Sequence, residues 1–257
     1  MSFRLLILPM LAVLALRASA TELEIFTEEV PPISFMQRGV AAGCFVDVVR
    51  EIQRRVGNQD SIQIVPWPRA YHLALTEPNI VIFVALKTES RQPLFQWVGP
   101  LASVRVSFYT MADRGILIAS IEDAMRLKSI GAMQDSFAES ELTRLEFHNL
   151  ERTSSVVQMI KKLLSGRDDA ILADDLFVDS FFRDNKDLDR SRVVQSYTLA
   201  ESEMYIAFSR STAPDIVLSW QNALDSMKRD GTFAKLVSNR VSVISKMAEP
   251  EINAKRD

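Results

Sequence analysis

Arg91 is the residue whose type and position indicate chemistry most directly. It follows Ile80–Leu86, an apolar run too short to span a membrane, which predicts a strand covered on both faces. The loop after this run, residues 88–91 (TESR), is then expected at the carboxyl edge of a sheet, where open α/β sheets bind small ligands. A guanidinium offers a rigid fork of donors that suits a carboxylate or phosphate. Arg91 is therefore a candidate anion anchor, although a loop arginine can also simply be solvated.

Other side chains near predicted strand ends could belong to the same site. Ser136 precedes a predicted helix, so its hydroxyl can cap a helix end that favours anions. Arg69 is a possible second anion contact, and Glu28 could face the same cleft. Trp67 and Tyr71 could stack on a ligand, or they could belong to the core or the rim of a cleft. These residue types favour binding of a small charged or polar molecule.

No convincing catalytic or metal-binding constellation is evident in the sequence. Cys44 could act as a nucleophile with a distant histidine, or it could be a small buried residue near a helix start. His72 and His148 have no second ligand at zinc-site spacing. The patterns of the serine-hydrolase elbow and the phosphate loop do not occur. We therefore predict no catalytic residue, no metal and no cofactor.

The first twenty residues have the pattern of a secretory signal peptide. A basic start at Arg4, an apolar run over residues 5–16 and Ala18-Ser19-Ala20 predict cleavage after Ala20. The apolar run is short of the ~20 residues that a spanning helix needs, and no later segment qualifies. We therefore expect a protein of the Gram-negative periplasm. Its final residues, 248–257, are predicted to form a polar tail.

Charge and composition indicate an ordinary globular protein that does not bind nucleic acid. The formal net charge is -3 and the pI is ≈ 5.6, with 47% hydrophobic residues and no concentrated basic face. One cysteine cannot form an intramolecular disulfide, so the fold must depend on its hydrophobic core. We expect a monomer.

The mature chain contains two similar blocks of alternating predicted strands and helices. The first block is predicted as strand, helix, strand, helix, strand: residues 22–27, 47–56, 62–65, 68–76 and 80–86. Later strands are predicted at 104–111, 129–133, 169–173 and 197–208, and later helices at 121–127, 137–145, 154–164, 214–228 and 232–239. Such an order predicts parallel sheets. Two blocks of this kind predict two lobes with a crevice between them.

Six short motifs, in this order and at this spacing, resemble the bacterial extracellular solute-binding proteins of family 3, which include the periplasmic polar amino-acid receptors of ABC transporters. The motifs are 27–32 (TEEVPP), 43–47 (GCFVD), 88–91 (TESR), 95–100 (FQWVGP), 169–174 (DAILAD) and 222–233 (NALDSMKRDGTF). The resemblance covers nearly the whole mature chain.

The resemblance implies the two-lobed α/β fold of type II periplasmic binding proteins. Each lobe would be a mainly parallel sheet flanked by helices, and two hinge strands would join the lobes. The implied division is a signal peptide at 1–20, a first lobe at 21–106 and 200–247, and a second lobe at 107–199.

The same resemblance implies roles for individual residues. It places Arg91 on the carboxylate of a ligand, helped by the hydroxyl of Thr88. From the second lobe it implies a hydroxyl and helix amides at Ser136, and an acidic side chain for an ammonium group at Asp174. By position, Asp174 or its neighbour Asp175 could instead cap the following helix.

The sequence departs from the family pattern at two positions. Leu86 stands where amino-acid binders usually carry Ser or Thr, so one polar contact is missing. Asp135 stands where Gly is common before the second-lobe hydroxyl, and its charge would repel an anion unless it points outward. An amino acid, another organic anion or a small cation are all open as ligands.

Three functions follow from the resemblance. The first is a periplasmic protein that captures a small polar ligand between its lobes and delivers it to an inner-membrane ABC permease. The second is an enzyme on the same scaffold, similar to cyclohexadienyl dehydratase, with Glu28 or Asp174 as the acid. The third is a ligand sensor for a membrane signalling protein. We predict the first, without enzymatic turnover.

Overall fold

The structure is a computed structural model that describes residues 22–238. The predicted signal peptide at 1–20 and the predicted tail at 248–257 lie outside the described residues. None of the helices described is long and apolar enough to cross a membrane.

The first lobe is built on three parallel strands in the order β4-β1-β5. Its elements are β1 (Glu24–Thr27), a hairpin of β2 (Phe35–Gln37) and β3 (Val40–Ala42), α1 (Cys44–Val56), β4 (Ile62–Ile64), α2 (Trp67–Thr76) and β5 (Ile80–Leu86). All seven residues of β5 are buried, as its apolar run predicts. The predicted parallel sheet is confirmed.

The second lobe repeats the arrangement with the parallel order β9-β7-β8. Its elements are α3 (Ile121–Met125), β7 (Ile130–Met133), α4 (Phe137–Arg144), β8 (Leu150–Thr153), α5 (Val156–Leu164), β9 (Ala170–Asp174) and α6 (Asp175–Asp184). The chain returns to the first lobe in α7 (Pro214–Arg229) and α8 (Thr232–Ser238), which contact α1.

Two long antiparallel strands, β6 (Phe95–Met111) and β10 (Val193–Ser209), join the lobes. β5 pairs with β10 at 204–208, and β9 pairs with β6 at 106–110. Between these contacts, residues 103–105 and 201–203 pair with each other, and no third strand among residues 22–238 pairs with them. The connection is therefore a two-stranded ribbon, as expected for two hinge strands. The predicted lobe boundaries stay a prediction.

Helix α1 begins three residues earlier than the predicted 47–56, and Gly43 explains the difference. Gly43 has a φ of 132°, and a Cβ there would lie 2.1 Å from the carbonyl oxygen of Ile33. Only glycine fits this close approach, so the helix starts directly after it. Cys44 is the first residue of α1 and is completely buried, in line with a packing role.

Candidate functional site

A small cavity of ≈ 40 Å³ lies between the two lobes, and we call it the inner compartment. Its polar lining comes from Glu28, Trp67 and Arg91 of the first lobe and Ser136 and Asp174 of the second. The remaining walls are mostly apolar: Val84, Leu86, Val106, Met133, Phe137, Ala138, Val156, Met159, Leu172, Ala173 and Phe177. The carboxyl ends of β1, β5, β7 and β9 thus meet at one small space with mostly apolar walls.

Glu28 directly follows β1 and is 4% exposed. Its backbone carbonyl accepts a hydrogen bond from Ser34 Oγ at 2.7 Å, but within residues 22–238 its carboxyl group has no hydrogen-bond partner. Burial, with a smaller contribution from the charge of Asp174, raises the pKa of Glu28 to about 8. Glu28 is therefore predominantly protonated at neutral pH.

Asp174 ends β9 and caps α6. Of the two residues predicted as alternative helix caps, Asp174 and Asp175, it is therefore Asp174 that has the capping role. Its Oδ1 accepts a hydrogen bond from Phe177 N at 2.8 Å. Burial raises the pKa of Asp174 to about 7, and the Phe177 amide opposes that shift. Asp175 instead faces the inter-lobe ribbon, where its carboxylate contacts Arg105 at 3.1 Å.

Arg91 and Trp67 cross the cleft and donate to the same atom. Arg91 Nη2 lies 2.7 Å and Trp67 Nε1 lies 3.0 Å from the backbone carbonyl oxygen of Asp135. Arg91 is 4% exposed, and burial lowers the pKa of its guanidinium. Two first-lobe donors on one second-lobe acceptor hold the lobes together, and we call this contact the cross-cleft lock.

The second-lobe half of the cross-cleft lock is a tight turn at Asp135. Asp135 has a φ of 57°, in the left-handed region that asparagine and aspartate tolerate better than most residues. Its N–H donates to Glu139 Oε2 at 3.1 Å, and Ser136 Oγ caps α4 by accepting from Glu139 N at 3.2 Å. The predicted helix-capping role of Ser136 is confirmed. Arg152 holds Glu139 at 2.8 Å, which fixes the turn.

An aromatic row supports the first-lobe half of the lock. Trp67 stacks on Tyr71 with ring centroids 5.8 Å apart, and Tyr71 meets Phe95 edge to face. The guanidinium of Arg91 lies 4.8 Å from the Tyr71 ring centre. Cation–π contact of this kind orients a buried arginine as well as stabilising it. Tyr71 therefore contacts Arg91 and Trp67 without lining the inner compartment itself.

Val84 lines the inner compartment from an unusual backbone position. Its φ is 62°, a conformation that is strained for a β-branched residue. Pairing with β10 changes register here, because Phe83 pairs with Ile206 whereas Ala85 pairs with Tyr205. Val84 is thus the extra residue of a bulge, which re-aims a side chain toward the cleft.

The cleft continues into a larger space of ≈ 280 Å³, which we call the outer compartment. Its lining is Glu28, Glu29, Ile64, Val65, Pro66, Trp67, Ser154, Ser155 and Gln158. Glu28 and Trp67 line both compartments, so the two spaces adjoin. Ser155, which precedes α5 without a side-chain capping bond, is one of these lining residues.

Five of the eight predicted ligand-binding residues line the inner compartment: Glu28, Trp67, Arg91, Ser136 and Asp174. The other three, Tyr71, Thr88 and Arg69, are not among the lining residues of either compartment. Thr88 Oγ1 accepts from Arg91 N at 3.2 Å and so shapes the loop before Arg91. Arg69 is exposed on α2. Ligand contact stays a prediction for all eight residues.

Sequence reasoning missed the carbonyl of Asp135 and the outer-compartment residues Ser154, Ser155 and Gln158. Every residue has a backbone carbonyl, so no residue type marks the one that Arg91 contacts. The Ser-Ser pair before a helical apolar pattern was a capping signal that could have directed attention to the start of α5.

Two lobes, two joining strands and a cleft at the strand ends define a type II periplasmic binding protein. The chain belongs to the bacterial extracellular solute-binding proteins, family 3, whose family model matches residues 23–239. No curated protein sequence matches the chain.

Several solved structures share this fold. A mutant of the arginine-binding protein ArgBP from T. maritima is 20% identical with a TM-score of 0.74, over 85% of this chain and 95% of that one. A histidine kinase sensor domain is 15% identical with a TM-score of 0.75, over 86% and 96%. AncCDT-1, an ancestral amino acid-binding protein and precursor of cyclohexadienyl dehydratase, is 18% identical with a TM-score of 0.70, over 85% and 94%. Such low identities establish the fold alone.

Proposed function

We propose that this protein captures a small organic ion, an amino acid or a related molecule, in the cleft between its lobes. The observation that carries the proposal is the inner compartment, which places Glu28 and Asp174 from opposite lobes in one buried space. A ligand that contacts both lobes stabilises the closed form over the open form. Arg91 and Ser136 supply the remaining polar groups of this space.

The physiological role that we propose is delivery of the captured ligand to an inner-membrane ABC permease from the periplasm. The family membership supports this role, because these are extracellular solute-binding proteins. Uptake of the radiolabelled ligand by cells that lack the gene separates transport from sensing. Transport predicts loss of uptake, whereas a sensor for a signalling protein predicts normal uptake with a lost transcriptional response.

A thermal-shift screen with amino acids, amines and organic acids tests binding directly, because a ligand that binds only the folded form raises the melting temperature. The variants Glu28→Gln and Asp174→Asn should lose the shift. Their matched controls are Glu24→Gln, an exposed residue of the strand that precedes Glu28, and Asp175→Asn, which directly follows Asp174 but is paired with Arg105. An unchanged shift of the melting temperature in both cleft variants would show that Glu28 and Asp174 do not bind the ligand.

Catalysis is a second candidate function, which the pKa of Glu28 favours. A carboxyl group with a pKa of about 8 in an apolar cavity can act as a general acid at neutral pH. Elimination of water from a cyclohexadienyl substrate needs such an acid. Incubation with prephenate, followed by NMR, distinguishes the two: we expect unchanged substrate, and product formation that Glu28→Gln abolishes would establish an enzyme.

A further inference from the structure

The inner compartment has an unbalanced set of charged groups. Its ionisable lining residues are Glu28, Asp174 and Arg91, so it carries one net negative charge when all three are ionised. A net charge is costly in a buried, mostly apolar space, because little solvent is there to stabilise it. One added positive charge neutralises the compartment, whereas a zwitterion without net charge leaves it negative.

The empty compartment reaches neutrality by holding a proton. Burial raises the pKa of both carboxyl groups, and the value for Glu28, about 8, lies above neutral pH. Between pH 7 and 8, where Glu28 is mostly protonated and Asp174 is mostly ionised, Asp174 and Arg91 remain as an oppositely charged pair. A bound cation can therefore replace this proton without changing the total charge.

The lining offers little to a ligand carboxylate. Arg91 already donates to Asp135 O at 2.7 Å and stacks on Tyr71. Leu86 provides an apolar wall at the end of β5 and so offers no side-chain hydrogen bond to an acid group. A carboxylate here would have to compete with the cross-cleft lock, which holds the compartment closed.

The volume of the inner compartment also favours an ammonium group over a carboxylate-bearing head group. A cavity of ≈ 40 Å³ holds roughly three water molecules, enough for an ammonium group. The head group of an α-amino acid, with its ammonium, α-carbon and carboxylate, is larger. The rest of a ligand can extend past Glu28 into the outer compartment of ≈ 280 Å³.

From these observations we infer that the ligand is a small organic cation without an acid group, whose ammonium lies between Glu28 and Asp174 and whose body extends into the outer compartment. This inference rests on the proposed function and narrows its ligand class. In this arrangement Glu28 and Asp174, one from each lobe, are the two carboxylates that bind the single positive charge of the ligand.

Four probes of matched size separate the alternatives in calorimetric titrations of the full mature chain. They are n-butylamine, a cation; n-butanol, its uncharged analogue; n-butyrate, an anion; and L-norvaline, which is butylamine with an added α-carboxylate. We expect butylamine to bind at least about tenfold more tightly than each of the others, since an unpaired buried charge is costly. L-Arginine, which has the same net charge as butylamine but carries an acid group, should also bind more weakly.

Variants locate the cation. Glu28→Gln and Asp174→Asn should each weaken butylamine binding about tenfold or more, and Glu24→Gln should leave it unchanged. Asparagine is itself a good helix cap, so Asp174→Asn retains the start of α6. Melting curves of the variants verify that they fold.

Each other outcome overturns the inference in a recognisable way. Tighter binding of L-norvaline or L-arginine would show that the acid group is used, would favour Arg91 as an anion anchor, and would leave the proposed function standing. Tightest binding of butyrate would show that the site prefers an anion to a cation. Binding of none of these probes and of no amino acid would remove the proposed function as well.

Discussion

The two carboxyl groups of the inner compartment are both buried, yet they are held differently. Asp174 is fixed by its own helix, because its Oδ1 accepts from Phe177 N. The carboxyl group of Glu28 has no hydrogen-bond partner among residues 22–238, and its pKa is the higher of the two. The backbone amide fixes the position of the Asp174 carboxylate and stabilises part of its negative charge. The carboxyl group of Glu28 has no such contact among residues 22–238, so it stays protonated until a positive charge binds beside it. Glu28 is therefore the more responsive half of the cleft.

The largest expected effect that tests this difference between Glu28 and Asp174 is on the pH dependence of the free energy of unfolding. In the unfolded chain the pKa of Glu28 is near its ordinary value of 4.5, and in the folded chain it is about 8. The unfolded form thus loses its proton first, so the contribution of Glu28 to stability is present below pH 4.5 and is lost as pH rises toward 8. The loss should be on the order of a few kcal/mol.

Urea denaturation at acidic, neutral and mildly alkaline pH measures this loss. Glu28→Gln should flatten the pH dependence, while Glu24→Gln should retain it. Asp174 contributes with the same sign up to about pH 7, and Arg91 and Glu29 also face Glu28 in the compartments, so part of the slope remains. An unchanged slope in Glu28→Gln would mean that Glu28 is not the responsive acid.

A smaller effect separates helix capping from ligand contact at Ser136. Ser136→Ala removes a cap bond of 3.2 Å at α4, and Ser120→Ala removes one of the same length at α3, away from the cleft. Each should cost about 1 kcal/mol of stability. Only Ser136→Ala should also weaken butylamine binding. Equal binding by the two variants would limit Ser136 to a capping role.

The structural features that could be predicted from the sequence are those that depend on residues close together in the chain. Ser136 and β5 were predictable, since a cap and a buried apolar strand depend on neighbouring residues. Strand β8 (LERT) has little apolar content, and it forms because β7 pairs with it. The first half of β6 was equally hidden, because its length follows from pairing with β10, whereas most of β10 was predicted as the strand 197–208.

The cross-cleft lock could not be predicted, because it joins residues far apart in sequence through a backbone atom. Arg91 was recognised from its strand end, but its contact with Asp135 O depends on how the two lobes meet. The raised pKa of Glu28 likewise follows from burial by both lobes, which no local pattern encodes.

The smallest expected effect tests the lock itself. Trp67→Phe keeps an aromatic side chain but removes the indole N–H that donates to Asp135 O, which still accepts from Arg91, so loss of this bond should cost the closed form only about 0.5 kcal/mol. Trp97→Phe is the matched control, since Trp97 Nε1 donates to Gln92 O within the first lobe. Small-angle X-ray scattering should show more open molecules for Trp67→Phe alone. Equal opening in both variants would contradict the lock.

The most direct test of the account counts protons when the cleft fills. Calorimetric titration of n-butylamine at pH 7, in buffers with different ionisation heats, gives the number of protons released. Because Glu28 is mostly protonated without a ligand and must ionise to hold a cation, we predict release of about one proton or slightly more, and Glu28→Gln should remove most of it. A smaller release from Asp174, whose pKa is about 7, should remain in that variant. Binding heat that is the same in every buffer, or proton release that is undiminished in Glu28→Gln, would contradict exchange of a proton for a cation between Glu28 and Asp174.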